Sequence, residues 1–362
     1  MTGKERIARI LNHQPVDRIG LYEHFWGDTR AKWEADGCIQ PGEDFEAHFN
    51  FDIKKCSALK LVADLDFEPV KVAEDQDTVT WLDGNGATLR RHKHHDTTPE
   101  HVGFSVETRE DWEKKIKPLL WPDPRRVNFE HYRKIKAEAA REGRFFCWDG
   151  VNVFECIHPV CGHVNMLMGM AEDPAWVKDM ADTYARLTID LQKILFEREG
   201  LPDGIWYYED MGYKGSPFMS PAMYRDLIQP AHAATIGYAH SLGLPVIMHS
   251  CGYVAPLLPG MIEAGIDCLQ VIEVKAGMDL LELHRLYGGK IAFMGGIDVR
   301  ALYTNDRAVI DAELEAKIPL VKQGYNFVLH SDHSIPKTVE YDTYRYFVQR
   351  GLELGTYEEF DG

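Results

Sequence analysis

Short apolar runs alternate with helix-length amphipathic segments from about residue 143 onward. Apolar runs bounded by turn residues predict buried strands, and segments with a helical period predict the helices between them. The predicted strands are 145–149, 205–210, 246–251, 268–274, 291–298 and 327–332. The predicted helices are 221–242, 254–264, 279–287, 306–322 and 339–354. This alternation predicts βαβ units and a parallel sheet.

The first 120 residues have a less regular pattern. A helix at 4–11 is followed by a strand-like run at 19–25 and then by a polar, irregular stretch. The clearest element is a hairpin, in which 78–82 and 87–90 flank the turn sequence Asp83-Gly-Asn-Gly. No Pro/Ser-rich linker follows. We therefore predict an α/β fold, a (β/α)8 TIM barrel formed as a single domain by residues 1–362. Residues 1–120 are expected as an N-terminal elaboration, and about 143–355 as the clearest barrel.

Length and composition agree with this prediction. Barrels of this type accommodate 362 residues in one domain. Hydrophobic residues make up 45% of the chain and no apolar run is long enough to span a bilayer, so no membrane contact is expected. The charged start and the odd number of cysteines, seven, predict reduced thiols and a cytoplasmic location. The net charge of −17 argues against nucleic acid as a partner.

The predicted strands end in polar residues that can titrate or bind a metal. In a parallel barrel the C-terminal ends of the strands converge on one mouth, where the βα loops build the active site. A single acidic residue after a strand is as well explained by helix capping, but a series of such residues predicts a functional site. The residues at these ends are Asp149, Glu209, Asp210, His249, Cys251, Glu273, Asp298, His330, Asp332 and His333.

His249-Ser-Cys251 is the sharpest of these motifs. Side chains two apart on a strand point to the same face, so His249 and Cys251 share a face near the mouth. Imidazole nitrogen and thiolate sulfur suit zinc, and a third ligand could come from the last strand as His333 or His330. The alternative is a buried histidine bonded to a backbone carbonyl beside an inert cysteine. The candidate oxygen ligands are Glu209, Asp210 and Asp332.

Two further features are weaker. The cysteines and histidines of 156–163 lack the spacing of a zinc motif, which favours packing over metal binding. The pair Gly295-Gly296 lets backbone approach a ligand closely or relieves crowding, without the context of a nucleotide fingerprint.

Residues 204–355 resemble the uroporphyrinogen-decarboxylase-like superfamily, and the rest of the chain matches it more loosely. The resemblance implies a (β/α)8 barrel. The motifs that carry it are Tyr208-Glu-Asp-Met-Gly, Ser216-Pro-Phe-Met-Ser-Pro, His249-Ser-Cys-Gly, Glu273-Val-Lys-Ala-Gly-Met-Asp, Gly295-Gly-Ile-Asp and Ser331-Asp-His-Ser-Ile-Pro.

The superfamily contains two chemistries. Its decarboxylases carry an Arg-Gln-Ala-Gly-Arg segment near the first strand, whose arginines hold the acidic groups of the tetrapyrrole. This chain has Glu23-His-Phe-Trp-Gly-Asp28 there, with only Arg30 nearby. Cobalamin-dependent methyltransferases of the superfamily bind zinc with a His-x-Cys pair and a later Cys. His249 and Cys251 match the pair, and His333 occupies the position of the later Cys.

The resemblance implies a zinc-dependent methyltransferase that moves a methyl group between a corrinoid (methylcobalamin) on a partner protein and a small-molecule thiol. The expected zinc ligands are His249, Cys251 and His333. The expected catalytic residues are Glu209, Asp210 and Asp298, and the residues expected to bind cofactor are Tyr208, Glu273, Gly295 and Gly296.

Two alternatives remain open. One is a metal-independent decarboxylase or lyase that uses His333 and Asp210 for acid–base chemistry. The other is a non-catalytic corrinoid- or tetrapyrrole-binding protein with a pocket lined by Trp206, Tyr207 and Tyr208.

Overall fold

Fourteen strands are present in the computed structural model, which describes residues 1–94 and 98–358. In chain order they are β1 (Gly20–Leu21), β2 (Ile53–Ser57), β3 (Val70–Glu74), β4 (Thr78–Leu82), β5 (Ala87–His92), β6 (Glu100–Phe104), β7 (Phe145–Val151), β8 (Gly204–Tyr208), β9 (Gly212–Tyr213), β10 (Ser216–Pro217), β11 (Val246–Ser250), β12 (Cys268–Val271), β13 (Ala292–Gly295) and β14 (Phe327–Leu329).

Helices connect these strands. They are α1 (Gly3–Leu11), α2 (Gly27–Ala35), α3 (Phe45–His48), α4 (Arg109–Asp111), α5 (Phe129–Glu142), α6 (Val153–Glu172), α7 (Pro174–Glu199), α8 (Pro221–Met223), α9 (Gln229–Ser241), α10 (Leu258–Ala264), α11 (Leu280–Tyr287), α12 (Val299–Tyr303), α13 (Arg307–Val321) and α14 (Tyr341–Gly355). A π-helical segment, Tyr224–Ile228, joins α8 to α9, and another, Trp112–Ile116, follows α4.

Eight of the strands form one parallel sheet in the order β1, β14, β13, β12, β11, β8, β7, β2. Barrel strands that are consecutive along the sequence are therefore neighbours in the sheet. The sheet closes where the Asp52 N–H, just before β2, donates to the Leu21 carbonyl of β1 at 2.9 Å. The Asp52 carboxylate also binds Arg6 of α1 (2.6 Å) and Arg18 (2.8 Å). The predicted (β/α)8 barrel is confirmed.

The six strands predicted after residue 143 are all present. Five of them end one to three residues earlier than predicted, whereas β7 continues to Val151, beyond the predicted end at 149. The strand expected over 268–274 ends at Val271, and the one expected over 327–332 ends at Leu329. The polar residues that follow these strands consequently lie in the loops at the barrel mouth. There they are free to bond to neighbouring loops rather than to a strand partner.

Burial explains why these runs form strands. Every residue of β12 and β13 is buried, as expected for barrel strands covered by side chains on one face and helices on the other. The helices begin at polar caps. Asn128 accepts a hydrogen bond from the His131 N–H at 3.1 Å at the start of α5, and Asp306 accepts one from the Ala308 N–H at 2.9 Å at the start of α13.

The predicted hairpin is confirmed as β4 and β5, which pair antiparallel. They belong to a four-stranded antiparallel sheet with β3 and β6, which the sequence did not predict. The sheet packs on α6, where the Phe104 ring lies against Gly162 and His101 lies 5.9 Å from the His158 ring. Residues 1–120 thus contribute β1 and β2 to the barrel itself as well as this sheet.

Several elements were not predicted from the sequence, among them β2, α5 and α7. The cysteines and histidines of 156–163 lie within α6. α6 kinks at Gly162, which has φ 79° and follows Pro159 by three positions. Among residues 1–94 and 98–358, no helix combines the length and the apolar character that a bilayer crossing requires.

Candidate metal centre

Asp210, His249 and Cys251 come together at the barrel mouth. One ligand atom of each lies within 4.8 Å of the others, and the described residues contain no second such group of three. His249 Nε2 is 3.1 Å from Asp210 Oδ1. The same carboxylate oxygen accepts the Cys251 backbone N–H at 3.0 Å.

The local backbone explains why these three residues meet. His249 of β11 is in register with Tyr208 of β8. Asp210 comes two residues after Tyr208, just as Cys251 comes two residues after His249. The two loops then pass in contact at Gly212 and Gly252. A Cβ atom on either glycine would collide with the backbone of the other loop, and Gly252 has φ 76°. The two glycines therefore allow the approach that joins Asp210 to Cys251.

The three groups strongly affect one another's protonation. Burial raises the pKa of the Cys251 thiol well above its ordinary value, and Asp210 raises it further. Burial opposes charge on both His249 and Asp210, but their mutual attraction outweighs it, raising the pKa of His249 and lowering that of Asp210. These shifts favour a neutral thiol beside a charged aspartate–histidine pair.

The donor set fits zinc. Carboxylate oxygen, imidazole nitrogen and thiolate sulfur are all zinc ligands, and catalytic zinc sites use three protein ligands with a fourth position open to water or substrate. Asp210, His249 and Cys251 would hold the ion, and all three are partly accessible at the mouth. Metal binding by them stays a prediction.

His333 lies outside this group. Its ring stacks on Trp26 at 6.0 Å between ring centres. Burial and the nearby Lys275 lower the pKa of His333. The structure therefore brings His249 and Cys251 together with Asp210, one of the oxygen alternatives, and not with His333.

His330, the other histidine considered as a ligand, is fully buried with both ring nitrogens engaged. Its Nε2 faces His24 Nδ1 at 3.0 Å and Gln270 Nε2 at 3.2 Å. Its Nδ1 faces the Ser331 carbonyl and lies 3.2 Å from Glu23 Oε1. No ring nitrogen is left for a metal in this arrangement.

Three of the acidic candidates bond to backbone or to a neighbouring cation instead of facing the metal group. Glu209 is fully buried, accepts two N–H groups from the first turn of α6 at 2.7 and 3.0 Å, and contacts His232. Asp298 caps α12 and pairs with Arg300 at 2.6 Å. Asp332 accepts N–H groups from the loops after β12 and β13 at 2.9 and 2.8 Å. Their positions match the helix-capping alternative.

Tyr208 and Glu273, expected to bind cofactor, both border the metal group. The Tyr208 ring centre lies 5.2 Å from that of His249. Glu273 accepts the Gly252 N–H at 2.7 Å and lies 3.3 Å from Lys275. These contacts place an aromatic wall and a carboxylate beside the ligand residues.

Gly295 and Gly296, also expected to bind cofactor, have φ values of 106° and 77°. A Cβ atom on Gly295 would collide with the Val271 carbonyl, and one on Gly296 would meet the Leu280 side chain at 2.8 Å. Close packing of Gly295 on the backbone of β12 and of Gly296 on α11 explains both glycines without a ligand.

Sequence reasoning missed a polar cluster inside the barrel, formed by His24, Lys55 and Gln270. Lys55 Nζ contacts the Tyr208 hydroxyl, lies 3.0 Å from His24 Nε2 and sits 4.5 Å over the Trp206 ring. Burial lowers the pKa of Lys55. The sequence contains one signal for this cluster. Adjacent residues of a strand point to opposite faces, so one of Lys54 and Lys55 must face the barrel interior, but β2 itself was not predicted.

The fold and the polar mouth define a barrel of the (β/α)8 enzyme class. A model of the family described as uroporphyrinogen decarboxylase (URO-D) matches residues 157–352. The chain belongs to this enzyme family, and the resemblance in its sequence motifs is confirmed.

A solved structure shows the same fold. The chain is similar to a methyltransferase from Methanosarcina mazei, with a TM-score of 0.64, 14% identity, and 98% of this chain and 99% of that chain covered. Likeness to a 3-keto-L-gulonate-6-phosphate decarboxylase from Vibrio cholerae is weaker, with a TM-score of 0.30, 10% identity and coverage of 62% and 78%. A beta-glucosidase from Pyrococcus furiosus gives a TM-score of 0.32 at 11% identity, with coverage of 95% and 97%. No curated protein matches the chain.

Proposed function

We propose that this protein is a zinc-dependent methyltransferase that moves a methyl group between a corrinoid carried by a partner protein and a thiol. The observation that carries the proposal is the grouping of Asp210, His249 and Cys251 at the barrel mouth. Likeness along nearly the whole chain to a protein named as a methyltransferase supports the same assignment.

In this proposal the three residues supply one oxygen, one nitrogen and one sulfur ligand, with Asp210 in the place first expected for His333. A bound zinc ion lowers the pKa of a substrate thiol, so that the more nucleophilic thiolate is present at neutral pH. Cys251 must lose its own proton to become a ligand, and metal uptake therefore releases a proton. The Tyr208 ring and Glu273 border the position left for the substrate.

The decarboxylase alternative is less well supported by the first strand. Glu23 is buried and accepts hydrogen bonds from the Ser331 N–H and hydroxyl, and burial raises its pKa to about 8. Arg30 donates to the Glu43 carbonyl at 3.0 Å and lies 4.1 Å over the Phe45 ring. Neither residue offers the paired cations that a polycarboxylate tetrapyrrole requires.

Two measurements test the proposal. Elemental analysis of the purified protein should find about one zinc per chain. Methyl transfer from methylcobalamin to coenzyme M, homocysteine and simple thiols, followed by corrinoid absorbance, should be detectable. Cys251→Ala should lose both zinc and transfer, whereas Cys268→Ala, a buried cysteine at the start of β12, should keep both.

Three outcomes would contradict the proposal. A protein that neither contains nor takes up zinc would contradict the zinc-dependent mechanism. Transfer undiminished in Cys251→Ala would show that the barrel does not catalyse it. A zinc-loaded, folded protein that is retained on immobilised cobalamin but transfers to no thiol would favour the non-catalytic binding protein.

A further inference from the structure

A hydrogen-bond chain crosses the barrel interior and ends at His249. Gln270 of β12 lies in register with His249 of β11, and its amide oxygen contacts His249 Nδ1. We propose that Gln270 is a positioning residue that fixes the ring orientation and tautomer of His249 for metal binding. This inference rests on the proposed metal site and adds a residue that contacts neither metal nor substrate.

The donor-to-acceptor direction of this hydrogen-bond chain is set at Lys55. An ammonium group has only donors, so Lys55 donates to His24 Nε2 at 3.0 Å. His24 must then carry its hydrogen on Nδ1, which donates to His330 Nε2 at 3.0 Å. His330 Nε2 is consequently an acceptor, and its own hydrogen resides on Nδ1, facing the Ser331 carbonyl.

This polarity orients the Gln270 amide. Because His330 Nε2 is an acceptor, the amide nitrogen of Gln270 must face it, at 3.2 Å. The amide oxygen then faces His249 and accepts the Nδ1 hydrogen. His249 then presents Nε2 to Asp210 Oδ1, 3.1 Å away, and donates to that carboxylate in the metal-free protein. Loss of this proton would free the Nε2 lone pair for a metal on the same side. A flipped amide would set the Gln270 oxygen against the Nε2 lone pair of His330, which is two acceptors without a hydrogen between them.

Burial makes the orientation costly to change. Gln270 and His330 are both fully buried, so water cannot satisfy a misdirected donor or acceptor. Partners that bond to the second nitrogen of a ligating histidine orient the ring and raise its basicity, and their loss costs about 10–100-fold in metal affinity. We expect an effect of this size from Gln270.

The test uses volume-conserving variants in the full-length protein. Gln270→Met removes both hydrogen bonds, and Gln270→Glu keeps an acceptor for His249. Gln192→Met is the matched control, because Gln192 is equally buried and its amide bonds to the Tyr207 hydroxyl at 3.1 Å, outside the site. Zinc affinity, measured by competition with a chromophoric chelator, should fall about 10–100-fold in Gln270→Met and stay close to wild type in the other two.

A second readout needs no metal. In ¹⁵N-histidine-labelled, metal-free protein at alkaline pH, where the ring is neutral, the His249 signals are assigned by their loss in His249→Ala. Wild type should show hydrogen on Nδ1, and Gln270→Met should lose this preference while Gln270→Glu keeps it. If Gln270→Met does not fold, His330→Gln replaces it in this comparison. Breaking the hydrogen-bond chain at His330 should allow the Gln270 amide to flip, so His249 should lose its preference for hydrogen on Nδ1, while wild type and Gln270→Glu keep it.

The outcomes separate the two proposals. Equal zinc affinity in Gln270→Met and Gln192→Met, or His249 signals that do not respond to Gln270→Met, would overturn the positioning role. Absence of zinc binding in wild type, together with an Nδ1 tautomer that depends on Gln270, would contradict the metal site and leave the positioning role standing.

Discussion

Single side chains at the mouth divide into those that face the metal group and those that hold loops in place. Asp210 and His333 represent the two alternatives for the third ligand, and the contacts separate them. Asp210 lies against both His249 and Cys251, whereas His333 stacks on Trp26.

Substituting the two residues tests this difference. Asp210→Ala should reduce zinc affinity by about 10-fold or more, because it removes an oxygen ligand and the partner of His249. His333→Ala should retain zinc close to the wild-type level. Zinc content after dialysis against a weak chelator measures both. Loss of zinc in His333→Ala alone would restore the ligand set expected from the sequence.

Glu23 gives a pH-dependent stability. Burial raises its pKa from 4.5 to about 8 in the folded protein, so between these values the folded state binds more protons than the unfolded state. Its contribution therefore favours folding at low pH and is lost as the pH rises through this window, by up to about 1.4 kcal/mol per pH unit. Urea unfolding at pH 5 and pH 8 should show a smaller difference in Glu23→Gln than in wild type or in the surface variant Glu107→Gln. An unchanged difference would contradict the buried, protonated carboxyl.

At the scale of elements, acidic residues at strand ends tie loops to their neighbours. Asp332 accepts the backbone N–H groups of Val274, after β12, and of Val299, the first residue of α12. Burial raises the pKa of Asp332 to about 6. Its role is the alignment of two βα loops beside the mouth.

Removing this carboxylate should destabilise the protein without removing the metal. Asp332→Ala leaves two N–H groups without an acceptor, which should lower the free energy of unfolding by about 2–5 kcal/mol, while Asp332→Asn keeps one acceptor and should cost less. Urea denaturation measures the effect, and zinc content is the control. A folded Asp332→Ala protein that has lost zinc would identify Asp332 as a ligand.

Periodicity predicted the later barrel strands well because each is an apolar run flanked by turn residues. It failed for β2, since Ile53-Lys-Lys-Cys-Ser reads as a surface segment. Lys55 is tolerated inside only because β8 supplies aromatic faces, with Trp206 at 4.5 Å and Tyr208 at 4.8 Å. A contact of that kind depends on which strands become neighbours, and a single-chain pattern does not contain it.

The candidate site was partly predictable for the same reason. His249 and Cys251 belong to one strand end, so alternation alone predicted that they share a face. The third member depends on the approach of two loops at Gly212 and Gly252, which the sequence left open among several residues. Gln270 has no chemical signature of its own, and its position becomes informative only through the register with His249.

At the scale of the whole molecule, charge distinguishes this barrel from one that binds a polycarboxylate. The chain carries a net charge of −17, and Asp210 and Glu273 border the mouth. Lys275 already pairs with Glu273 at 3.3 Å, and the buried Lys55 is engaged by His24 and Tyr208. Several substrate carboxylates would remain unpaired beside protein carboxylates, which opposes binding.

Uroporphyrinogen should therefore not be a substrate. Incubation of the purified protein with uroporphyrinogen, analysed by chromatography for coproporphyrinogen, should show no turnover above a heat-denatured control. Turnover would contradict this prediction and show that the decarboxylase reaction does not require paired arginines.

The closure of the barrel at Asp52 has a dynamic consequence. Among the described residues, one backbone hydrogen bond joins the segment before β2 to β1, and the Asp52 carboxylate adds a bond from the Leu21 N–H at 2.8 Å, so a single aspartate holds most of this seam. Lys55 lies on one side of the seam and His24 on the other, and opening would separate them. Because Lys55 and His24 begin the hydrogen-bond chain that ends at His249, the orientation of His249 depends on the closure of the barrel at Asp52.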